Sequence, residues 1–576
     1  MLEAPLNQFR FSFRPRLLDL FAGRMGPVDW GRELGAGAVV GLVALPLALA
    51  LGIASVPPGT ATPLPPPMLG LLTAVVAGFL ISALGGCRVQ IGGPTAAFVP
   101  IVVLILMEHG YGGLILATMM AGVILIALGL ARMGTLIKFI PWPVTSGFTT
   151  GIALALMLMQ APDFFGLGGG GALPHEFTER LAWLGERLPE LEWRPFGVAA
   201  ATLALILFWP RLKLKAIPGP VVAVAAATAA VALLDWEGAG GVATIGSRFG
   251  SESLTFHWPE LQWPEWDAEA LRRLIGPATA IALLGAIESL LSCVVADGLS
   301  GDRHDSNTEL VAQGVANLVC PFLGGLPATG AIARTSSNIH NGARTPLAGM
   351  VHAAALFGIV LLGARWAVHI PMAAMAAVLA AVALRMGEWH ELGRLPRMPR
   401  SDALVLLTTC GLTVVFDLVV AVEVGMVLAA ILYIKRVSET TEVSRVTEDD
   451  MLERPEHIAQ GKPVPEGVVV YRIFGPFLFG AAEKMEDALA RAEAWPRVLI
   501  LRLHLVSAMD ATGLHALESI VERIKSSGGS VILSGIHAQP LEMLRKAGFI
   551  EVIGRANFCA TFDEALQRAR SLVQGQ

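Results

Sequence analysis

IGGPTAAF (residues 91–98) and LPATGAIA (residues 326–333) are two turns of the same make, set roughly 230–240 residues apart. Each follows a glycine pair, Gly85-Gly86 and Gly324-Gly325, and each joins a proline to a Gly-rich, Thr-containing turn. Each also opens an apolar segment too short to cross a bilayer. The first starts at Thr95 and stops near Glu108, about 20 Å as a helix against a hydrocarbon core of about 30 Å. The second begins near Ala328 and turns polar by His340. A third landmark shares the offset, Ile140-Pro141 against Ile370-Pro371. Interrupted helices at matching positions of two halves are the strongest sequence pointer to a transporter site.

Working outward from the turns, apolar runs with short polar loops occupy about 34–437. Full spans are expected near 34–54, 68–86, 112–131, 143–161, 196–210, 216–234, 274–297, 308–323, 345–363, 368–385, 401–418 and 420–437. These twelve and the two half-crossing segments give fourteen elements, seven per half. An odd number per half inverts the second half in the membrane. With the N-terminus inside, alternate loops hold Arg88, Arg132, Lys138, Arg211, Lys213, Lys215, Arg303, Arg344, Arg385, Arg394, Arg397 and Arg400, with Lys435 and Arg436 after the last span. The opposite loops are uncharged (55–67) or acidic on balance (235–273). This positive-inside bias places both termini in the cytoplasm.

Composition agrees. Of 576 residues 54% are hydrophobic and 15% charged, where soluble domains run near one-quarter charged. The mean hydropathy is +0.62. No basic or aromatic-interleaved patch suggests a nucleic-acid partner. Cys87, Cys293, Cys320, Cys410 and Cys559 lack metal-motif spacing, and their odd number argues against a disulfide framework. The first 21 residues have no apolar h-region. No nucleophile–base pair or metal constellation points to an enzyme, and no cofactor is expected.

A helix that begins in mid-bilayer leaves free N–H groups and the positive end of its dipole there. Two such starts facing each other make an anion site without a lysine. The first offers the Thr95 hydroxyl and amides near Thr95, Ala96 and Ala97; the second offers amides near Ala331, Ile332 and Ala333, with Arg334 next. Gly92, Gly93 and Gly330 are expected to let the backbone approach a ligand. Thr95 also suits a plain N-cap, and Arg334 a structural cation. Glu288 sits mid-span in LLGAIESLLSCVVADG (283–298), sharing a helix face with Gly285 and Ser292. An intramembrane carboxylate is a functional candidate. Proton coupling, neutralising a co-transported cation, and a fixed pair with Arg334 all remain open. Pro46 in VALPLALALG (43–52) is expected to kink the first span or free a carbonyl, in a wall otherwise apolar.

Beyond a charged linker at 438–465, the strands GVVVYRIF (467–474), RVLILRLH (497–504) and SVILSG (530–535) alternate with helices near 481–493, 511–526, 538–547 and 562–573. This makes a small α/β domain over 466–576.

The chain resembles the sulfate permease (SulP) family over nearly its full length. The resemblance rests on GLVALPLALALGIASVPP (41–58), FIPWPVTSGFTTGIA (139–153), LLGAIESLLSCVVADG (283–298) and GGLPATGAIARTSSNIHNGARTPLAG (324–349). It implies a multi-pass carrier of a bacterial inner membrane: an α-helical 7+7 inverted repeat in which a core of elements 1–4 and 8–11 moves, elevator-like, against a gate. The substrate would be a small anion of the sulfate, bicarbonate, chloride or dicarboxylate class. It would sit between Thr95 and Ala331–Arg334, against Leu47 and Leu51. A homodimer and proton symport or anion exchange are implied, with Glu288 and Ser292 in the coupling role. Sodium-coupled bicarbonate members carry hydroxyl side chains where this chain has Gly92 and Ile332, and an aspartate at Glu288, so sodium is the weaker alternative. The tail resembles a STAS domain, with Asp510-Ala511-Thr512-Gly513 at that family's Asp-Ser/Thr-Gly loop. Asp510 and Thr512 are its regulatory candidates, Thr512 also reading as a plain cap. A nucleobase permease shares this kind of fold but usually lacks such a tail. A membrane scaffold for the tail would leave the half-helices and Glu288 without purpose.

Overall fold

A computed structural model describes residues 13–25, 27–135, 141–167, 174, 177–212, 218–237, 241–256, 260–264, 267–416, 418–445, 464–478, 484–485 and 496–574. The chain divides into two compact units, Met1–Val427 and Leu428–Gln576.

The first unit is helical. It begins α1 (Arg16–Phe21), α2 (Trp30–Ser55), α3 (Pro66–Leu84), the short strand β1 (Gly92–Gly93), a 3-10 turn Ala96–Phe98 and α4 (Val99–Leu130). Next come α5 (Trp142–Phe165), α6 (Phe177–Arg187), α7 (Trp193–Phe208), α8 (Gly219–Leu233), α9 (Ile245–Phe249), α10 (Ala268–Ser300) and α11 (Ser306–Phe322). Strand β2 (Thr329–Gly330) leads to α12 (Ile332–His340), α13 (Pro346–Ala367), α14 (Met372–Met386), α15 (Trp389–Arg394) and α16 (Arg400–Val415). Helix α17 (Leu418–Thr440) runs from this unit into the second.

A helix stands at each expected apolar stretch, with three differences. The first short segment is joined to the span after it, and the break is backbone geometry at Gly110 (φ 64, ψ −172). Among the described residues seven helices are long and apolar enough to cross a membrane, eight if the bent pair Met372–Met386 and Trp389–Arg397 is one span. That is fewer than the twelve full spans expected; α8, α11 and α16 reach only 15, 17 and 16 residues, and α17 (23 residues) is not among the eight either. Pro46 does not interrupt α2, which continues through it as one helix.

Without a hydrophobic drive between helices in lipid, packing depends on close approach. Helices α2 and α3 show this. A Cβ on Gly52 would lie 2.2 Å from the Pro66 carbonyl, and one on Gly70 2.0 Å from that of Ala48.

The second unit holds a five-stranded sheet in chain order: β3 (Glu442–Arg445), β4 (Val468–Phe474), β5 (Val498–Leu505), β6 (Ser530–Ser534) and β7 (Phe558–Cys559). Only β3–β4 is antiparallel. Helices Ala511–Ser526, Ala538–Lys546 and Phe562–Gln574 connect and cover it. Strand β3 falls in the stretch read as linker. Its four residues, EVSR, are too short and too polar to signal a strand. The helix expected at 481–493 lies almost wholly outside the described residues, as do Ile140 and loop cations Lys138, Lys213 and Lys215.

Candidate functional site

The two turns meet. Strands β1 and β2 pair antiparallel, Gly92 opposite Gly330 and Gly93 opposite Thr329. The Ala331 amide adds a bond to the Ile91 carbonyl at 2.8 Å. Pairing two turns from opposite halves places the 3-10 start at Ala96 and the start of α12 at Ile332 beside one another. This short ladder also satisfies backbone groups that lipid could not.

The glycines act differently from the expectation. They make room for protein, not ligand. A Cβ on Gly92 would meet Ile81 Cδ1 at 2.2 Å, one on Gly93 would meet Arg334 Nη1 at 2.7 Å, and one on Gly330 would meet Gln90 Nε2 at 1.6 Å. Gly93 also has φ +145, which favours glycine.

Arg334 is buried, 3% exposed. It reaches back across the pairing, where Nη2 donates to the Pro94 carbonyl. The second half-helix is thus strapped to the first turn. The carboxylate facing Arg334 is Glu288 on α10, which also faces Thr95. No ion pair within 4.0 Å joins Glu288 to Arg334, so the geometry does not show the fixed salt bridge left open above. Among the described residues Arg334 Nε has no hydrogen-bond partner, and neither has Thr95 Oγ1. Although Thr95 occupies the N-cap position, its side chain makes no cap bond. Glu288, Thr95 and Ala331 are half-buried and Ile332 and Ala333 are exposed, while Thr95 Oγ1 itself is buried. Among the described residues the amides of Ala96, Ala97, Ile332 and Ala333 have no acceptor, whereas that of Ala331 is taken by Ile91. Leu47 is half-buried, and Leu51 and Ala96 share one apolar cluster with it.

Ser292 is placed otherwise than expected. It is fully buried, and its hydroxyl bonds Thr335 Oγ1 at 3.0 Å. Thr335 Oγ1 in turn accepts from the Ile91 amide at 3.1 Å. Ser292 therefore holds α10 and α12 to the first turn. Gly285 does similar work through its carbonyl, which accepts from Thr329 Oγ1 at 2.8 Å.

A polar network behind the turns escaped the sequence reading. Gln90 donates to Ser289 Oγ at 3.1 Å and accepts from Cys293 Sγ at 2.6 Å. Glu309 on α11 is fully buried. It accepts from the Gly86 and Cys87 amides at 2.9 and 3.2 Å and from Gln313 at 2.9 Å. It thereby satisfies the chain where α3 ends. The available signal was Glu309 with Gln313 four residues on, in a segment treated as an apolar span. In the second unit Asp510, not Thr512, is the cap: its Oδ1 accepts from the Gly513 amide at 2.7 Å, while Thr512 is exposed.

Apolar helices around two facing helix starts, with a buried cation and an inward carboxylate, define a membrane carrier rather than an enzyme. Residues 32–409 match the Sulfate permease family and residues 461–565 the STAS domain. The chain belongs to the sulfate permease family. It is 38% identical to YvdB of Bacillus subtilis (strain 168), provisionally named a sulfate transporter, over 92% of this chain and 96% of that one. It is 30% identical to the bicarbonate transporter BicA of Synechocystis sp., covering 87% and 88%. The transmembrane domain of a cyanobacterial BicA superposes with a TM-score of 0.59 at 29% identity, over 70% of this chain and 97% of that one. Murine Slc26a9, described as an anion transporter in the inward-facing state, superposes with a TM-score of 0.82 at 17% identity, over 99% and 96%, and shows the shared fold.

Proposed function

We propose that the protein accumulates a small oxyanion of the sulfate or bicarbonate class by secondary active transport, in proton symport or anion exchange. The observation that carries this reading is the Gly92–Gly330 pairing. It sets two helix starts with unsatisfied amides and the Thr95 hydroxyl side by side, and helix starts favour anions. Thr95, Ala96, Ile332 and Ala333 would contact the anion, Leu47 and Leu51 would supply the apolar wall, and Arg334 would hold the two starts together and add positive charge. Glu288 would carry the coupling proton, because it faces both Thr95 and Arg334 without being fixed to either. The relatives named for sulfate and for bicarbonate bound the substrate class.

The 7+7 inverted arrangement, elevator-like movement, cytoplasmic termini, inner-membrane location and homodimer belong to the same proposal. They are supported by the paired turns, the loop charges and the shared fold. The regions 1–33, 34–437, 438–465 and 466–576 are its working division into lead-in, carrier, linker and STAS domain.

The test is uptake of radiolabelled sulfate and bicarbonate into proteoliposomes under imposed proton or sodium gradients. The expected result is accumulation of at least one anion driven by the proton gradient, or by counter-anion. Glu288→Gln should abolish the proton-driven part and leave exchange. Accumulation that needs sodium alone, or unchanged proton-driven uptake in Glu288→Gln, would overturn the coupling assignment.

A further inference from the structure

The STAS domain carries two arginines that its fold does not explain. Arg472 on β4 and Arg502 on β5 are direct partners in the parallel register. Ser444 on β3 and Ser534 on β6 extend the row on either side. Side chains two apart share a sheet face. On this face Val468, Val470, Val498, Ile500 and Ile532 pack beneath the helix Phe562–Gln574. The arginines come next, toward the carboxyl ends of three parallel strands, where open α/β sheets take their ligands.

Like charges directly opposite one another destabilise a sheet, and buried polar groups are normally bonded. Here neither rule is met. Among the described residues neither arginine has an ion pair, and Arg472 Nε and Arg502 Nη1 are buried without an acceptor. The Arg502 guanidinium lies 4.5 Å over the Phe562 ring, which fixes its plane but accepts no strong hydrogen bond. Burial first, and Arg472 beside it second, pull Arg502 below the usual guanidinium range. Among the described residues neither Glu442 nor Glu564 pairs with either arginine. Glu442 is exposed opposite Phe474, and Glu564 on the covering helix accepts from the Ala560 amide. His504 lies on the same strand two residues beyond Arg502. Met485 packs against the other face, with Tyr471 and Leu501.

We propose that Arg472 and Arg502 form an oxyanion site in the STAS domain, taking a phosphate-type group between two guanidinium forks, with the Ser534 and Ser444 positions at its edges. Paired guanidinium groups match such an anion in charge and geometry. The site is separate from the one proposed in the helical unit and does not depend on it.

The test is equilibrium dialysis of the purified full-length protein with labelled orthophosphate, and with ADP in a second arm. Arg472→Gln and Arg502→Gln should each weaken binding at least tenfold, with the lysine variants intermediate. Their melting temperatures in phosphate-free buffer should be equal to or above wild type, because a repulsion is removed. Tighter arginine-dependent binding of ADP assigns the group to a nucleotide; tighter orthophosphate binding assigns it to a free anion. Binding that is unchanged in both glutamine variants, or variants that melt well below wild type without phosphate, would overturn the site and leave a purely structural pair.

Discussion

The two half-helix starts are alike in backbone and unlike in side chains. The first, from Ala96, is apolar up to Glu108 and contributes amides and one hydroxyl. The second, α12, is nine residues long and strongly amphipathic, with Arg334, Thr335 and Asn338 buried on one face. Those three side chains all reach to the first turn, to the Pro94 carbonyl, the Ile91 amide and the Val89 carbonyl. The second start therefore holds the first in place. The first depends on its partner for orientation, and removing parts from the two should have unequal effects.

The largest expected effect is at Arg334. Arg334→Gln removes a buried charge and the strap to Pro94, a loss of about 2–5 kcal/mol, or roughly 30-fold or more in initial uptake rate. Arg334→Lys should recover only part, because an ammonium cannot reproduce the guanidinium fork. Equal activity of the glutamine variant would break the asymmetry. Next comes Gly330→Ala, whose Cβ would displace the buried Gln90 amide. Overpacking there should lower unfolding stability by about 1–3 kcal/mol. Gly92→Ala meets Ile81 at Cδ1 (2.2 Å) and at the less movable Cβ (2.9 Å) and should lower it by a similar amount, as detergent-solubilised melting curves would show. Thr95→Ala should weaken anion affinity about tenfold, or about 1.4 kcal/mol, with little change in melting, since its side chain makes no cap bond to the helix start. The smallest effect is in the STAS domain. Asp510→Ala should cost about 1 kcal/mol of domain stability through the lost cap and leave the uptake rate per folded molecule unchanged.

The spans and the two turns were legible because they rest on long apolar runs and on Gly-Pro punctuation, which are local signals. So was the meeting of the two turns, through the internal repeat. What stayed hidden depends on contacts between distant segments. Nothing in the residues around Ser292 says that its hydroxyl bonds Thr335, 43 positions away. The glycines advertised close approach but not what approaches, and Gln90 and Arg334 filled the space assigned to a ligand. Glu309 was visible as an acid in an apolar stretch; its role as acceptor for the end of α3 required the fold. Strand β3 has no pattern of its own and exists because β4 offers it an edge.

The account stands on an anion lying between the two paired starts, and anomalous diffraction addresses this directly. Crystals soaked in selenate, with bromide as a second probe, should show a peak within hydrogen-bond reach of Thr95 Oγ1 and the amides of Ala96, Ile332 or Ala333. That peak should vanish in Arg334→Gln crystals. A peak confined to another part of the helical unit, or none there while the protein still transports the anion, would contradict it.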